Sequence, residues 1–176
     1  MFLLNDEMIK GYMEEGLLDI EDFDPKLLLP TYYYFRLGEL VRIWEEGRED
    51  YRVEELGEPG REVLSIPARG YALIQSLERF KCSKKVLAIF GQRSSLPRKG
   101  LRLNHSPTID PNFAGYLEMG LENLLDKPKE IRSGDIIGKI VFFDVSDTYP
   151  VKDIKGTISE KDYKRRATLR GGEPLE

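Results

Sequence analysis

Residues 91–100 read Gly91-Gln92-Arg93-Ser94-Ser95-Leu96-Pro97-Arg98-Lys99-Gly100. The apolar run Val86 to Phe90 leads into them, so a strand passes into a polar turn and then into the first residues of a helical turn. Two hydroxyls, Ser94 and Ser95, and the Arg93 guanidinium stand among the backbone N–H groups that open this turn. Donors arranged in this way converge on negative charge, which makes the segment a candidate anion site. The same spacing also describes an ordinary helix start, with Ser94 as the cap and Pro97 in the first turn. Spacing alone leaves both readings open.

On either side of this segment the pattern is that of a mainly β chain. Short β-favouring runs are read at Tyr32–Leu37, Glu39–Trp44, Glu62–Ile66, Tyr71–Leu77, Lys85–Phe90, Gly115–Glu122 and Ile136–Val145. Gly or Pro punctuates them, at Pro30, Gly38, Gly57, Pro67 and Gly70 among others. Many short strands with regular turns predict a sandwich or a barrel. One helix precedes them. Asn5 caps it, Asp6 and Glu7 suit its positive end, Met8, Ile9, Tyr12 and Met13 share a face, and Gly16 ends it. The expected organisation is a single β domain over residues 1–151. A charged, apolar-poor arm follows over 152–176, with a short helix at Glu160–Arg166.

A chain of 176 residues, 40% hydrophobic and 33% charged, can bury one core without staples. Its net charge of −4 offers no global attraction to nucleic acid. One cysteine, Cys82, excludes an internal disulfide framework and suits a reducing compartment. No apolar run is long enough to span a bilayer, and the start, Met1-Phe2-Leu3-Leu4 before Asn5-Asp6-Glu7, lacks the form of a signal peptide. A cytoplasmic location is the expectation.

Two further segments can carry chemistry. Ser106-Pro107-Thr108-Ile109-Asp110-Pro111-Asn112-Phe113-Ala114-Gly115 is a stiff turn pair holding one carboxylate and one aromatic ring. It can present Asp110 to a sugar hydroxyl or a water and Phe113 to a sugar face, or simply turn the chain with Phe113 in the core. In Tyr116–Glu122, Leu117, Met119 and Leu121 alternate with Tyr116, Glu118, Gly120 and Glu122. A bare glycine in mid-strand signals a bulge or the close approach of another group. His105 is the only histidine, so histidine-rich metal sites are excluded. Tyr32, Tyr33 and Tyr34 read as strand packing, and the basic cluster around Lys161, Lys164, Arg165, Arg166 and Arg170 as a solvated face or a phosphate clamp.

Taken in order, these segments resemble the dCTP deaminase/dUTPase superfamily over roughly residues 3–150. Gly16-Leu17-Leu18, Phe23-Asp24-Pro25 and Pro30 match its opening stretch, and Tyr32–Gly38 its SYDLRLG motif. Gln92–Arg98 match GRSSLAR, Ile109–Gly115 match IDPGFxG, and Arg132–Phe142 match RxGDRIGQLVF. The resemblance implies a distorted β-barrel assembled as a homotrimer, with nucleotide sites shared between subunits. It implies that Arg93, Ser94 and Ser95 hold the triphosphate and that Arg98 approaches from an adjacent chain. Lys139 would face phosphate, Phe113 would stack on the deoxyribose, and Asp110 would meet its 3′-OH and orient the attacking water. Mg2+ would ride on the phosphates, not in a protein cage.

Three departures bear on the reaction. Gly120 stands where deaminases carry a catalytic Glu, and glycine cannot move protons. Tyr34 replaces the Asp of SYDL, and Lys139 the Gln of IGQL. Hydrolysis of a phosphoanhydride asks for positioned phosphates and a carboxylate-held water, which Arg93, Ser94, Ser95 and Asp110 provide. The expected activity is therefore cleavage of dUTP to dUMP and pyrophosphate. The alternatives are deamination of dCTP with Glu118 or Glu122 as proton shuttle, and a paralogue that binds deoxynucleotides without turnover.

Overall fold

A computed structural model describes residues 1–44, 51–57, 60 and 62–148. The expected arm over 152–176, with its short helix and basic cluster, lies outside the described residues. The elements run β1 (Phe2–Leu3), α1 (Asp6–Glu14), β2 (Leu18–Glu21), β3 (Leu28–Leu29), β4 (Tyr32–Trp44), β5 (Tyr51–Glu55) and β6 (Val63–Ile66). They continue β7 (Tyr71–Cys82), β8 (Val86–Gln92), α2 (Ser95–Arg98), β9 (Leu101–Asn104), β10 (Thr108–Ile109), β11 (Ala114–Asn123), β12 (Lys129–Arg132) and β13 (Ile136–Asp144). Among the described residues no helix is long and apolar enough to cross a membrane.

The helix forms as expected at its ends. The Asn5 side chain accepts from Met8 N, and Gly16, at φ 69°, follows the C-cap. Its buried face is narrower than expected: Ile9 is fully buried, Tyr12 and Met13 pack on the core, but Met8 is 42% exposed.

One antiparallel path, β10-β8-β13-β4-β7-β11-β9, makes up the main sheet, with β1, β2, β3 and β5 attached beside it, and β12 pairs β6 separately. Period-2 alternation explains the burial along its strands. In β7, for example, Ala72, Ile74, Ser76, Glu78, Phe80 and Cys82 face the core and the residues between them are half-buried or exposed. The path curls until its two ends meet. Leu103 N of β9 donates to Gln92 Oε1 of β8 at 3.0 Å, and the rings of Phe90 and His105 stack at 4.5 Å. The result is the expected mainly-β, distorted barrel, with Tyr33, Phe35, Phe80 and Phe142 as its largest fully buried side chains.

Strand β4 corrects one expectation. Gly38 does not separate two strands; it lies inside one strand of 13 residues. The first part of β4 pairs β13, the last part pairs β5 and β7, and the register on β7 shifts between Leu37 and Val41. A Cβ at Gly38 would stand 2.8 Å from Ser76 O, so glycine allows β4 to press against β7 where it changes neighbours. Beneath this bend Glu78, fully buried, accepts from Arg36 N at 2.9 Å and Arg36 Nε at 2.7 Å.

Candidate functional site

The residues expected to bind the triphosphate come together at the end of β8. Arg93 follows the last residue of β8, and its backbone N donates to Ile137 O at 2.8 Å. Lys139 of β13 lies between Gly91 of β8 and Tyr34 of β4 in the sheet register. Both cations rest on tyrosine rings. Arg93 Cζ is 5.4 Å from the Tyr34 ring centroid, and Lys139 Nζ is 5.3 Å from that of Tyr32. These two rings meet edge-on, 5.0 Å apart, with their hydroxyls 3.3 Å from one another. Tyr33, between them, faces the core and is fully buried.

Ser94 and Ser95 stand at the head of α2. Ser94 occupies the cap position but makes no side-chain cap hydrogen bond, so the ordinary use of a serine there is not the one found. Its exposed hydroxyl is available to a ligand beside Arg93. Helix α2 is a single turn, and the donors it contributes are local ones. Arg98, its last residue, is exposed and points no contact back to Arg93 among the described residues.

Asp110 and Phe113 lie elsewhere. Their turn, between β10 and β11, is pinned to the end of β7: Cys82 N donates to Phe113 O at 2.8 Å and Asn112 N to Ser83 O at 3.1 Å. Asn112 takes a positive φ of 70° to close it. Asp110 is exposed, and Phe113 is half-buried with part of its ring packed on the core. Because Ile109 pairs with Ala88, continuation of the register sets Asp110 beside Leu87. Arg93 lies six residues further along the chain, just past the end of β8, which at strand spacing is roughly 20 Å. One chain therefore does not bring the carboxylate and the cations to a common point.

The third cluster surrounds Gly120, a buried residue of β11. A Cβ built there would fall inside the Tyr71 phenol, 2.6 Å from two of its ring carbons and nearer still to its hydroxyl oxygen. The group whose close approach a mid-strand glycine signalled is thus a tyrosine on the neighbouring strand β7. Tyr71 is half-buried, edge-on to Trp44 at 5.7 Å. Burial first, and the nearby Glu122 second, raise its pKa, so it is a neutral phenol at physiological pH. Glu122 accepts from Arg102 at 2.6 Å and from Asn104 at 3.3 Å, and these hydrogen bonds hold its carboxyl below the usual range. Glu118 is exposed and pairs across the sheet with Gln75.

Cys82 is buried, and burial alone pushes its thiol up to about 12, which makes it an inert core residue. Among the described residues no group of three or more His, Cys, Asp or Glu could hold a metal ion. The cradle's donors, a guanidinium, an ammonium and hydroxyls, suit phosphate oxygens and not a cation. Tyr71 escaped notice in the sequence because it meets Gly120 only through strand register. Tyr32 and Tyr34 could have been separated from Tyr33 by alternation alone.

A family model described as dCTP deaminase-like matches residues 3–145. The dCTP deaminase, dUMP-forming, of Tropheryma whipplei is 31% identical over 168 residues, covering 88% of this chain and 83% of that protein. The dCTP deaminase of Pyrococcus horikoshii is 34% identical over 128 residues, covering 73% and 76%. In fold the chain is similar to the 2′-deoxycytidine 5′-triphosphate deaminase of Agrobacterium tumefaciens, with a TM-score of 0.65 at 16% identity. That likeness covers 80% of this chain, which spans about half the solved chain (46%).

Proposed function

The chain belongs to the dCTP deaminase-like family, and within it we propose a hydrolase that cleaves dUTP to dUMP and pyrophosphate and leaves the amino group of dCTP in place. One observation carries this reading: the Tyr71 phenol fills the volume over Gly120, the position at which the family resemblance places the carboxylate of deaminases. Exchange of an amino group for water needs a side chain that takes and returns protons near neutral pH. Tyr71 stays protonated, and Glu122 stays ionised and tied to Arg102 and Asn104.

Phosphoanhydride cleavage makes smaller demands, chiefly position and charge. Arg93, Ser94, Ser95 and Lys139 would bind the phosphate oxygens, with Mg2+ arriving on the triphosphate as part of the substrate. Asp110 would hold the attacking water and accept its proton, and Phe113 would meet the sugar. The separation of Asp110 from Arg93 along β8 supports a site completed by a neighbouring chain, as in the homotrimer that the family resemblance implies, with Arg98 also reaching across. The relatives named as dUMP-forming share the product of this reaction.

Their names also support a second reading, deamination of dCTP. Glu122 favours it, since its carboxylate lies on the face of Gly120, two residues along β11. Asp110→Asn separates the roles. Under the hydrolytic reading it lowers pyrophosphate release from dUTP by about 100-fold or more while nucleotide still binds. Undiminished release in that variant would contradict it.

A further inference from the structure

Arg93 and Lys139 share a feature that nucleotide binding alone does not explain. Among the described residues neither cation has a carboxylate partner, and each is laid instead over a tyrosine ring. The two tyrosines come from alternate positions of one strand, β4, and touch both edge to face and hydroxyl to hydroxyl. They therefore form one platform that holds two positive charges without neutralising them. Lys139 and Tyr34 are cross-strand partners, and Gly91 flanks Lys139 on the other side. Gly91 differs from Gly120 in what surrounds it. A Cβ at Gly91 would meet nothing within 4 Å, so the space beside Lys139 and short of Arg93 is open.

We propose that Tyr32 and Tyr34 are positioning residues that hold Lys139 and Arg93 on either side of the open space over Gly91, and that this space admits one phosphate group of the ligand. Aromatic faces suit this task better than carboxylates would. A carboxylate would pair with the cations and compete with the phosphate, whereas a ring orients a cation and leaves its charge to the ligand. Gly91 supplies clearance: a phosphate oxygen bonded to both cations needs the room that a side chain on β8 would occupy. The proposal rests on the reading that the ligand is a triphosphate, not on which bond is cut.

The test is calorimetric titration of the full chain with inorganic tripolyphosphate, alongside turnover of dUTP. Tyr34→Phe keeps the ring and should bind like the wild type. Tyr34→Leu removes the ring and should weaken binding about 2- to 5-fold, the range of an exposed cation–π contact. Gly91→Ala should melt within about 2 °C of the wild type, since its methyl touches nothing, yet lose about tenfold or more in affinity, as expected where glycine permits close approach. Wild-type affinity in both Gly91→Ala and Tyr34→Leu would overturn the proposal, as would a wild-type protein that binds no tripolyphosphate. Equal losses in Tyr34→Phe and Tyr34→Leu would also overturn it, by assigning the effect to the hydroxyl. Binding that follows this pattern in a protein that releases no pyrophosphate from dUTP would support the platform and refute only the hydrolytic reading.

Discussion

Gly120→Ala puts one methyl group into the most crowded position of β11. The new Cβ would stand 2.6 Å from two ring carbons of Tyr71 and inside contact distance of its hydroxyl. The colliding atoms are the far end of a side chain, so relief comes from swinging Tyr71 out of its place. That movement breaks its edge-on contact with Trp44, at 5.7 Å and 64°, which is about 0.5–1.5 kcal/mol by itself. With the burial lost from a half-buried ring, the total falls in the usual range for overpacking, about 1–3 kcal/mol. For a chain of this size that corresponds to a fall in Tm of about 2–12 °C. Tyr71→Ala removes the obstacle, so adding Gly120→Ala to it should change stability by less than about 0.5 kcal/mol. The coupling between the two sites is then about 1–3 kcal/mol, within the range for residues in contact. Urea denaturation of the wild type, both single variants and the double variant, followed by circular dichroism, measures it. Strictly additive losses, or a Gly120→Ala protein as stable as the wild type, would refute the claim that Tyr71 occupies this space.

Three other perturbations probe the frame that carries the site. Glu78→Ala strands the Arg36 guanidinium and backbone N–H beneath the bend of β4 and should cost about 3–5 kcal/mol in a urea titration; a loss below 1 kcal/mol would show that water replaces the carboxylate. Gly38→Ala drives a methyl against the backbone at Ser76, where nothing can rotate away, and should cost about 1–3 kcal/mol; a neutral result would show that β4 and β7 separate freely there. Cys82, with its thiol at about 12, should have roughly one part in ten thousand as thiolate at pH 8. A thiol-reactive dye should then label it only after denaturation in guanidinium, and labelling of the native protein would show that the β2–β7 edge opens.

The class of fold and most of the long strands are readable because β7, β11 and β13 are rich in β-favouring residues between Gly and Pro breaks, and Leu117, Met119 and Leu121 alternate with polar or small neighbours. At β4 the local pattern misleads: Gly38 reads as punctuation, whereas its role is clearance for a neighbouring strand, which no local pattern displays. The short strands β1, β2, β3, β5, β9, β10 and β12 are not legible for a related reason: pairing across the barrel, more than their own composition, makes them strands. Site chemistry was legible where it lay in one segment, as with Arg93, Ser94 and Ser95. It was illegible where it depended on register. Nothing in the run around Gly120 names Tyr71, nearly fifty positions earlier, and nothing in Tyr32 to Tyr34 shows that two of the three rings carry cations. The separation of Asp110 from Arg93 likewise emerges only when β10 is laid on β8.

The central claim, that the Tyr71–Gly120 arrangement directs the protein to phosphoanhydride cleavage, is tested most directly by product analysis on the wild-type protein. Purified protein is given dUTP and dCTP in separate reactions with Mg2+, and pyrophosphate and ammonia are followed together. Pyrophosphate from dUTP with no ammonia from dCTP is the expected result. Ammonia released from dCTP would contradict it and place proton transfer on Glu118 or Glu122; silence in both reactions with nucleotide bound would contradict it equally, and make the chain a binding protein.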